Sequence, residues 1–231
     1  MRIGIICAGD RELAPFLPVI ADRHTTQKAM LTFHHGTICG AQVVALYSGV
    51  CKVNAAIAAQ LLIDYGGADI IINAGTAGGM DPALDIFDTA ICTEAAYHDV
   101  AANILTEFHP WLNSIYFRAD EKLLALSRPA VAALPLEHKV FWGRMVTGES
   151  FITDDLRPEI NARFAPLTVD METAGIAHVC HVNGVPFIAI RTVTDNAAHS
   201  GSMHFEENCA QAAAIAKDLT VALIGRISQS P

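Results

Sequence analysis

Three acidic residues, far apart along the chain, follow apolar runs that are typical of buried strands. Glu12 comes after residues 2–8, Glu172 after residues 167–169, and Asp195 after residues 185–190. Because ligands of open α/β sheets bind beyond the carboxyl ends of the strands, we expect these side chains to face a common site. Taken singly, Glu172 is equally suited to the positive end of a helix and Asp195 to the start of a loop. Their joint occurrence favours a functional site.

Carboxyl groups that meet in this way can perform acid–base chemistry. An acid held away from water beside other carboxylates has a pKa raised toward neutrality, so it can donate a proton. A second acid can hold and activate water. A third can accept hydrogen bonds from two neighbouring hydroxyl groups. Such a set requires no metal ion and no redox cofactor, and we predict neither.

The elements that must position these acids alternate between strands and helices, which is typical of an α/β domain. Apolar runs predict strands at residues 2–8, 42–47, 69–73, 88–93, 140–147, 167–169 and 185–190. One helical pattern follows residue 52, and three others lie at residues 120–134, 174–182 and 205–227. Pro15 and Pro18 predict a short or irregular helix after the first strand, since an interior proline removes a backbone hydrogen bond.

Two segments each allow two interpretations. Residues 74–79, Ala-Gly-Thr-Ala-Gly-Gly, are predicted to form a loop. Its backbone N–H groups either approach a ligand or merely turn the chain. Residues 100–117 are irregular and include His109, Pro110, Trp111 and Tyr116, which suit a lid or subunit contact or, equally, a small satellite core.

Composition limits the class of protein. The chain has 231 residues, 52% of them hydrophobic, which suits a single α/β domain over residues 1–231. The net charge of −9 argues against nucleic acid or an anionic membrane as a partner, but not against a neutral nucleoside. No apolar run reaches the length of a membrane span, and the six scattered cysteines form no CxxC pair. We therefore expect a cytoplasmic protein with reduced thiols.

Short motifs follow one another in a characteristic order along the whole chain. They are Ile-Gly-Ile-Ile at 3–6 with Glu12, Ser-Gly at 48–49 with Lys-Val at 52–53, Ile-Ile-Asn-Ala-Gly-Thr-Ala-Gly-Gly at 71–79, Tyr-His-Asp at 97–99, Gly148 with Phe-Ile at 151–152, Val-Asp-Met-Glu at 169–172, Ile-Ala-His-Val-Cys-His at 176–181, and Arg191 with Thr-Asp at 194–195. In this order and spacing the chain resembles the 5′-methylthioadenosine/S-adenosylhomocysteine nucleosidases of the nucleoside phosphorylase superfamily.

The resemblance implies a three-layer α/β/α sandwich around a mixed, partly closed central sheet, a homodimer, and hydrolysis of the bond between adenine N9 and ribose C1′. It implies that Glu12 activates water and that Asp195 is the acid that serves adenine N7. Further residues that it implies in the binding pocket are Glu172 at the ribose hydroxyls, Met171 on the sugar, Phe151 and the Ile152 backbone at the base, and Thr76, Arg191, Thr194, Phe205, Ala8, Gly9 and Val50 around them.

The sequence leaves the substrate's 5′-substituent open. Residues 100–117 differ from the segment that a partner subunit contributes to the 5′ pocket in the family that the chain resembles, and Gly9 stands where many members have a bulkier residue. A methylthio group, a homocysteinyl group and a futalosine-like substituent all remain compatible with the motifs.

Two other functions are compatible with the same motifs. A phosphorylase needs a cationic phosphate site, for which Arg11, Lys52, Arg191 and the 74–79 segment are the candidates. An acid at position 12 fits a water site better, because it repels phosphate. A non-catalytic nucleoside-binding protein is the second alternative, and the presence of all three acids argues against it.

Overall fold

The structure is a computed structural model, and it describes residues 1–108, 112–153, 155–199 and 201–230. Its strands are β1 (Arg2–Cys7), β2 (Ala21–Lys28), β3 (Leu31–Ile38), β4 (Ala41–Tyr47), β5 (Ile70–Gly79), β6 (Thr89–Tyr97), β7 (Phe117–Arg118), β8 (Val140–Thr147), β9 (Thr168–Asp170) and β10 (Phe187–Asp195). Its α-helices are α1 (Asp10–Leu13), α2 (Lys52–Asp64), α3 (Ala102–Glu107), α4 (Glu121–Ala132), α5 (Arg157–Phe164), α6 (Thr173–Asn183) and α7 (Ser202–Gln229), and a 3-10 helix spans Ala14–Val19.

The strands form one mixed sheet in the order β10-β6-β8-β9-β5-β1-β4-β3-β2. Strand β10 pairs with β6 on one side and with β5 on the other, so β10, β6, β8, β9 and β5 close into a ring. Strands β1 and β4 extend the sheet in parallel from β5, and β3 and β2 continue it antiparallel. The expected mixed, partly closed central sheet is confirmed.

Alternating side chains of the central strands supply two hydrophobic cores, one on each face of the sheet. Along β1, Ile6 packs in a core that includes residues of α2 and α6. Its neighbours Ile3 and Ile5 pack in the opposite core, with residues of α4 and α7. Helices therefore cover both faces of the sheet, and the expected three-layer arrangement is confirmed.

The prediction of a loop at residues 74–79 is wrong. Strand β5 continues through these residues to Gly79 and pairs there with β9 and β10. Likewise, β10 continues past residue 190 to Asp195. These polar and glycine-rich ends stay in the sheet because the closed ring buries them on both sides and provides strand partners for their backbone groups.

Two further differences concern an edge of the sheet and one connection. Strand β2 has no apolar alternation and was not predicted, since it is an almost fully exposed edge strand. The irregular segment 100–117 contains the short helix α3 and ends at β7. The prediction for His109, Pro110 and Trp111 falls outside the described residues. The two prolines produce the expected short α1 followed by a 3-10 helix.

Within the described residues, no helix combines the length and the hydropathy needed to cross a lipid bilayer.

Candidate active site

A cavity of about 470 Å³ lies where β1, β5, β9 and β10 end. Its walls are formed by Ala8, Gly9, Asp10, Arg11, Glu12, Val50, Thr76, Ala77, Gly78, Ser150, Phe151, Ile152, Val169, Asp170, Met171, Glu172, Thr194, Asp195, Ser202, Phe205, Glu206 and Cys209. The three acids predicted from the sequence thus meet at one cavity, although more than 180 positions separate the first from the last.

Glu12 is held by hydrogen-bond donors at both carboxylate oxygens. The backbone N–H groups of Ala8 and Gly9 donate to Oε2 at 2.7 and 3.2 Å. The backbone N–H and the hydroxyl of Thr76 donate to Oε1 at 2.6 and 2.8 Å. In every one of these hydrogen bonds the partner donates and the carboxylate of Glu12 accepts. The side chain is buried but still reaches the cavity.

Strand β5 passes so close to Glu12 that a side chain at position 75 would collide with it. A Cβ atom on Gly75 would lie 2.4 Å from Glu12 Oε1. The glycine therefore allows the backbone of Thr76 to reach the carboxylate. This close approach explains a glycine that the sequence alone suggested to be part of a loop.

Glu172 precedes α6 and is held from two sides. The backbone N–H of Cys51 donates to its Oε1 at 3.0 Å, and Arg191 Nη2 donates to its Oε2 at 3.1 Å. Cys51 itself stands before α2 with a φ of 79°, in the left-handed region that favours glycine. This uncommon backbone conformation directs the N–H group at Glu172, so the start of α2 fixes the carboxylate.

Asp170 anchors the turn that carries Glu172, and it is an acid for which the sequence suggested no role. Its Oδ1 accepts hydrogen bonds from the Thr147 hydroxyl at 2.6 Å and from the backbone N–H groups of Glu172 and Thr173 at 3.1 and 3.0 Å. Its Oδ2 accepts from the Thr173 hydroxyl and, at 3.1 Å, from Arg191 Nε. Asp170 therefore sets the direction in which Glu172 points.

Arg191 is fully buried behind the cavity wall. Its guanidinium contacts three acids, with Nε 3.1 Å from Asp170, Nη2 3.1 Å from Glu172 and Nη1 3.6 Å from Glu12. Nη1 has no hydrogen-bond partner among the described residues. Arg191 is not one of the residues that line the cavity, and its guanidinium holds the three acids in place; its predicted contact with the substrate stays a prediction.

Asp195 is the last residue of β10 and lines the cavity. Thr194 Oγ1 donates to its Oδ1 at 2.9 Å, and Arg157 Nη2 lies 3.4 Å from its Oδ2. The side chain is 2% exposed. Burial raises the pKa of Asp195, and the hydrogen bond from Thr194 and the charge of Arg157 oppose the shift. The carboxyl group is thus suited to carry a proton at a higher pH than an exposed aspartate.

Burial also raises the pKa of Glu172, to about 7, although the charge of Arg191 opposes the shift. The charges of Asp170 and Glu12 act in the same direction as burial. The cavity therefore contains two acids whose environments favour protonation, together with Glu12, whose hydrogen-bond partners are all donors.

The remaining predicted residues supply the rest of the wall. Phe151 and Phe205 meet edge to face, with ring centroids 6.4 Å apart and planes at 76°. Ala8, Gly9, Val50, Ile152, Met171, Thr76 and Thr194 all line the cavity. A flat aromatic ligand can fit against such a wall. Their proposed contacts with base and sugar stay predictions.

The cavity also has a charged rim that the sequence did not reveal. Arg11 forms two hydrogen bonds with Glu206, at 2.6 and 2.9 Å, and its guanidinium lies over the Phe205 ring. Asp10, Ser150, Ser202 and Cys209 are further lining residues without a predicted role. Because these contacts join α1 to α7, almost 200 positions away, no local pattern could have indicated them.

The charges of the cavity are unbalanced. Among the described lining residues, the acids are Asp10, Glu12, Asp170, Glu172, Asp195 and Glu206, and the cation is Arg11, which is paired with Glu206. The buried acids among them, such as Glu12, Glu172 and Asp195, can protonate a leaving group, hold water and stabilise a developing positive charge. The same set disfavours binding of an anionic co-substrate.

Comparison with known proteins is consistent with this chemistry. Residues 2–225 match the family described as "Phosphorylase superfamily". A protein of Anoxybacillus flavithermus named 5′-methylthioadenosine/S-adenosylhomocysteine nucleosidase is 35% identical over 99% of this chain and 100% of its own length.

Two solved structures of proteins with that name have the same fold. The one from Colwellia psychrerythraea, in complex with adenine, has a TM-score of 0.90 and 32% identity, over 98% of this chain and 95% of its own. The one from S. pneumoniae, with the transition-state inhibitor MT-ImmA, has a TM-score of 0.89 and 29% identity, over 98% of this chain and 100% of its own.

Proposed function

We propose a mechanism for the site of this chain, which belongs to the 5′-methylthioadenosine/S-adenosylhomocysteine nucleosidases of the phosphorylase superfamily. The protein is a purine nucleosidase that hydrolyses the N-glycosidic bond of 5′-methylthioadenosine and S-adenosylhomocysteine and releases adenine. The observation that carries the assignment of roles is the meeting of Glu12, Glu172 and Asp195 at one cavity, each held by different protein donors.

Asp195 is the acid in this proposal. Adenine is a poor leaving group until its N7 gains a proton or a strong hydrogen bond, and a buried carboxyl group with a raised pKa can supply it. As the bond from C1′ to N9 breaks, its electron pair moves into the purine ring. Phe151 and Phe205, whose rings meet edge to face, provide the aromatic wall against which the base is held.

Glu12 holds and activates the water that attacks C1′. Its two oxygens accept four hydrogen bonds from the protein, two each, so the water replaces the longest of them, the 3.2 Å bond from the Gly9 N–H. The guanidinium of the buried Arg191, with Nη1 3.6 Å from Glu12 Oε1, helps to keep this carboxylate in place. The negative charge of Glu12 also favours the positive charge that develops on the ribosyl group.

Glu172 binds the two ribose hydroxyls in this proposal. A carboxylate accepts hydrogen bonds from two adjacent hydroxyls, and the N–H of Cys51 together with Arg191 keeps its orientation fixed. Met171, the neighbouring residue in the wall, packs on the sugar.

Water is the acceptor because the cavity suits it better than phosphate. The cation on the wall, Arg11, already has a bidentate partner in Glu206, and Arg191 is surrounded by three acids. A phosphate ion next to Glu12 would meet a carboxylate with no unpaired cation among the described lining residues. The charge balance therefore supports hydrolysis over phosphorolysis.

We also propose a homodimer, in which a second copy covers the apolar face beside the cavity mouth. Val50, which lines the cavity, is 56% exposed, and Val53 and Ile57 on α2 are 68% and 48% exposed. Lys52 binds Asp99 at 2.8 Å and so brings the chain that leads into α3 next to this face. Large apolar side chains grouped in this way mark an interface.

A cytoplasmic location accompanies this proposal. All six cysteines lie among the described residues and are free, which suits a reducing compartment.

The activity is tested by incubating the purified protein with 5′-methylthioadenosine, S-adenosylhomocysteine or a futalosine-like inosine in phosphate-free buffer. The free base is measured by chromatography. We expect adenine from the first two substrates. Release of base from the inosine substrate alone would assign the chain to the alternative nucleosidase function.

A further inference from the structure

A buried arginine stands directly behind the proposed acid. Arg157 is the first residue of α5, and it is only 5% exposed. Its Nη1 donates to the carbonyl oxygen of Gly79 at the end of β5 and lies 3.4 Å from the sulfur of Met80. Its Nη2 lies 3.4 Å from Asp195 Oδ2. The guanidinium is therefore fixed by the sheet and faces the carboxyl group on the side away from the cavity.

Both oxygens of the Asp195 carboxyl group have a protein donor. Thr194 Oγ1 donates to Oδ1 at 2.9 Å, and Arg157 approaches Oδ2. Each oxygen accepts up to two hydrogen bonds, so each retains one position, and one of these two positions can carry the proton for the purine. The two donors fix the rotation of the carboxyl group, which a proton donor requires for a short, linear hydrogen bond to N7.

We propose that Arg157 is a positioning residue that acts through Asp195: it fixes the carboxyl group and stabilises the carboxylate that remains after the proton has passed to the purine. This inference rests on the proposed role of Asp195 as the acid. In the step, the O–H bond of Asp195 breaks, the proton binds N7, and the negative charge stays on the carboxylate beside the guanidinium. The purine receives the electron pair of the C1′–N9 bond.

Charge is the reason that arginine is suited to this position. A carboxylate buried without a cation is costly, so it would retain its proton and be a weaker acid. The charged groups that face Asp195 among the described residues are Arg157 from α5 and His204 from α7. Arg157 is the buried one of the two, and its planar guanidinium is the better donor to a carboxylate.

The inference is tested by the pH dependence of kcat/KM for 5′-methylthioadenosine in three variants. Arg157→Gln removes the charge but can still donate to Gly79. Arg157→Lys keeps the charge but loses the planar geometry. Asn161→Ala is the control on the same helix, since Asn161 ties α5 to the Met80 carbonyl oxygen at 3.1 Å and does not contact Asp195. His204, the other charged group that faces Asp195, is unchanged in all three variants, so it does not account for a difference between them.

Activity that depends on a protonated Asp195 declines as the pH rises through its pKa. Removal of a neighbouring cation raises that pKa, so in Arg157→Gln the decline should move to higher pH by about one unit. The plateau value of kcat should fall by about tenfold, which corresponds to an acid weaker by about one pKa unit. In Arg157→Lys the decline should move by less than half as much, and in Asn161→Ala it should not move.

An unmoved decline in a folded Arg157→Gln variant, or an equal displacement in the glutamine and lysine variants, would overturn the inference. If the glutamine variant does not fold, Arg157→Lys decides alone: a reduced plateau with a decline moved by less than about half a pH unit supports the inference, and a wild-type plateau overturns it. The variant Asp195→Asn tests the proposed function separately. If it retains activity, Asp195 is not the acid, whatever the result for Arg157.

Discussion

Replacement of Glu12 by glutamine tests the best-defined carboxylate of the site. Its four hydrogen-bond partners, from Ala8, Gly9 and Thr76, all donate. The amide NH₂ must therefore face either two backbone N–H groups or Thr76, whose hydroxyl can rotate and accept but whose N–H cannot. The least unfavourable orientation faces Thr76 and loses one hydrogen bond to a charged acceptor, about 1.5–3 kcal/mol.

The loss of stability should be smaller than that figure. Neutralising residue 12 also removes its repulsion with Glu172, which partly offsets the lost hydrogen bond. The loss of activity should be larger, because an amide cannot take a proton from water, and general-base catalysis typically contributes about 10²- to 10⁴-fold. This corresponds to about 3–5 kcal/mol of transition-state stabilisation.

The assay is the release of adenine from 5′-methylthioadenosine at saturating substrate, with thermal unfolding measured in parallel. Glu137→Gln is the matched control, since it makes the same chemical change at an exposed position between α4 and β8. A folded Glu12→Gln variant that keeps kcat within tenfold of the wild-type value would refute the role of Glu12.

Two further predictions concern stability and assembly. The raised pKa of Glu172, about 7 against an ordinary 4.5, means that the folded state binds the proton more tightly than the unfolded state. The stability that this contributes is fully present below pH 4.5 and is lost as the pH rises through 7, so the difference in free energy of unfolding between wild type and Glu172→Gln should fall by about 3 kcal/mol over this range in denaturant titrations. A constant difference would contradict the shift. The double variant Val53→Asp, Ile57→Asp should have the mass of one chain in light scattering, whereas the wild type has that of two; an unchanged mass would place the interface elsewhere.

The sequence predicted the acids better than it predicted what holds them. Apolar runs locate the strands because the central sheet is buried on both faces, and an acid that follows such a run is visible in one dimension. The extension of β5 through Thr76 was not visible. Glycine and alanine stay in that strand only because β9, β10 and Glu12 lie against them in the folded structure.

The residues behind the acids were missed or misplaced for the same reason. Asp170 could not be told from a helix-capping acid, and Arg157 is an ordinary residue of a short polar helix in the sequence. Arg191 was expected in the pocket and is not one of the residues that line the cavity. Each of these residues has a hydrogen-bond partner more than ten positions away in the sequence. Only the folded, partly closed sheet brings these partners together.

The choice between water and phosphate tests the central claim most directly. The purified enzyme is given 5′-methylthioadenosine with and without a large excess of inorganic phosphate, and the sugar product is followed by ³¹P NMR together with the rate of adenine release. With six acids on the cavity wall and its cation already paired, we predict an equal rate in both conditions and a sugar that carries no phosphate. A sugar 1-phosphate, or a rate that depends on phosphate, would contradict the assignment of Glu12 to water.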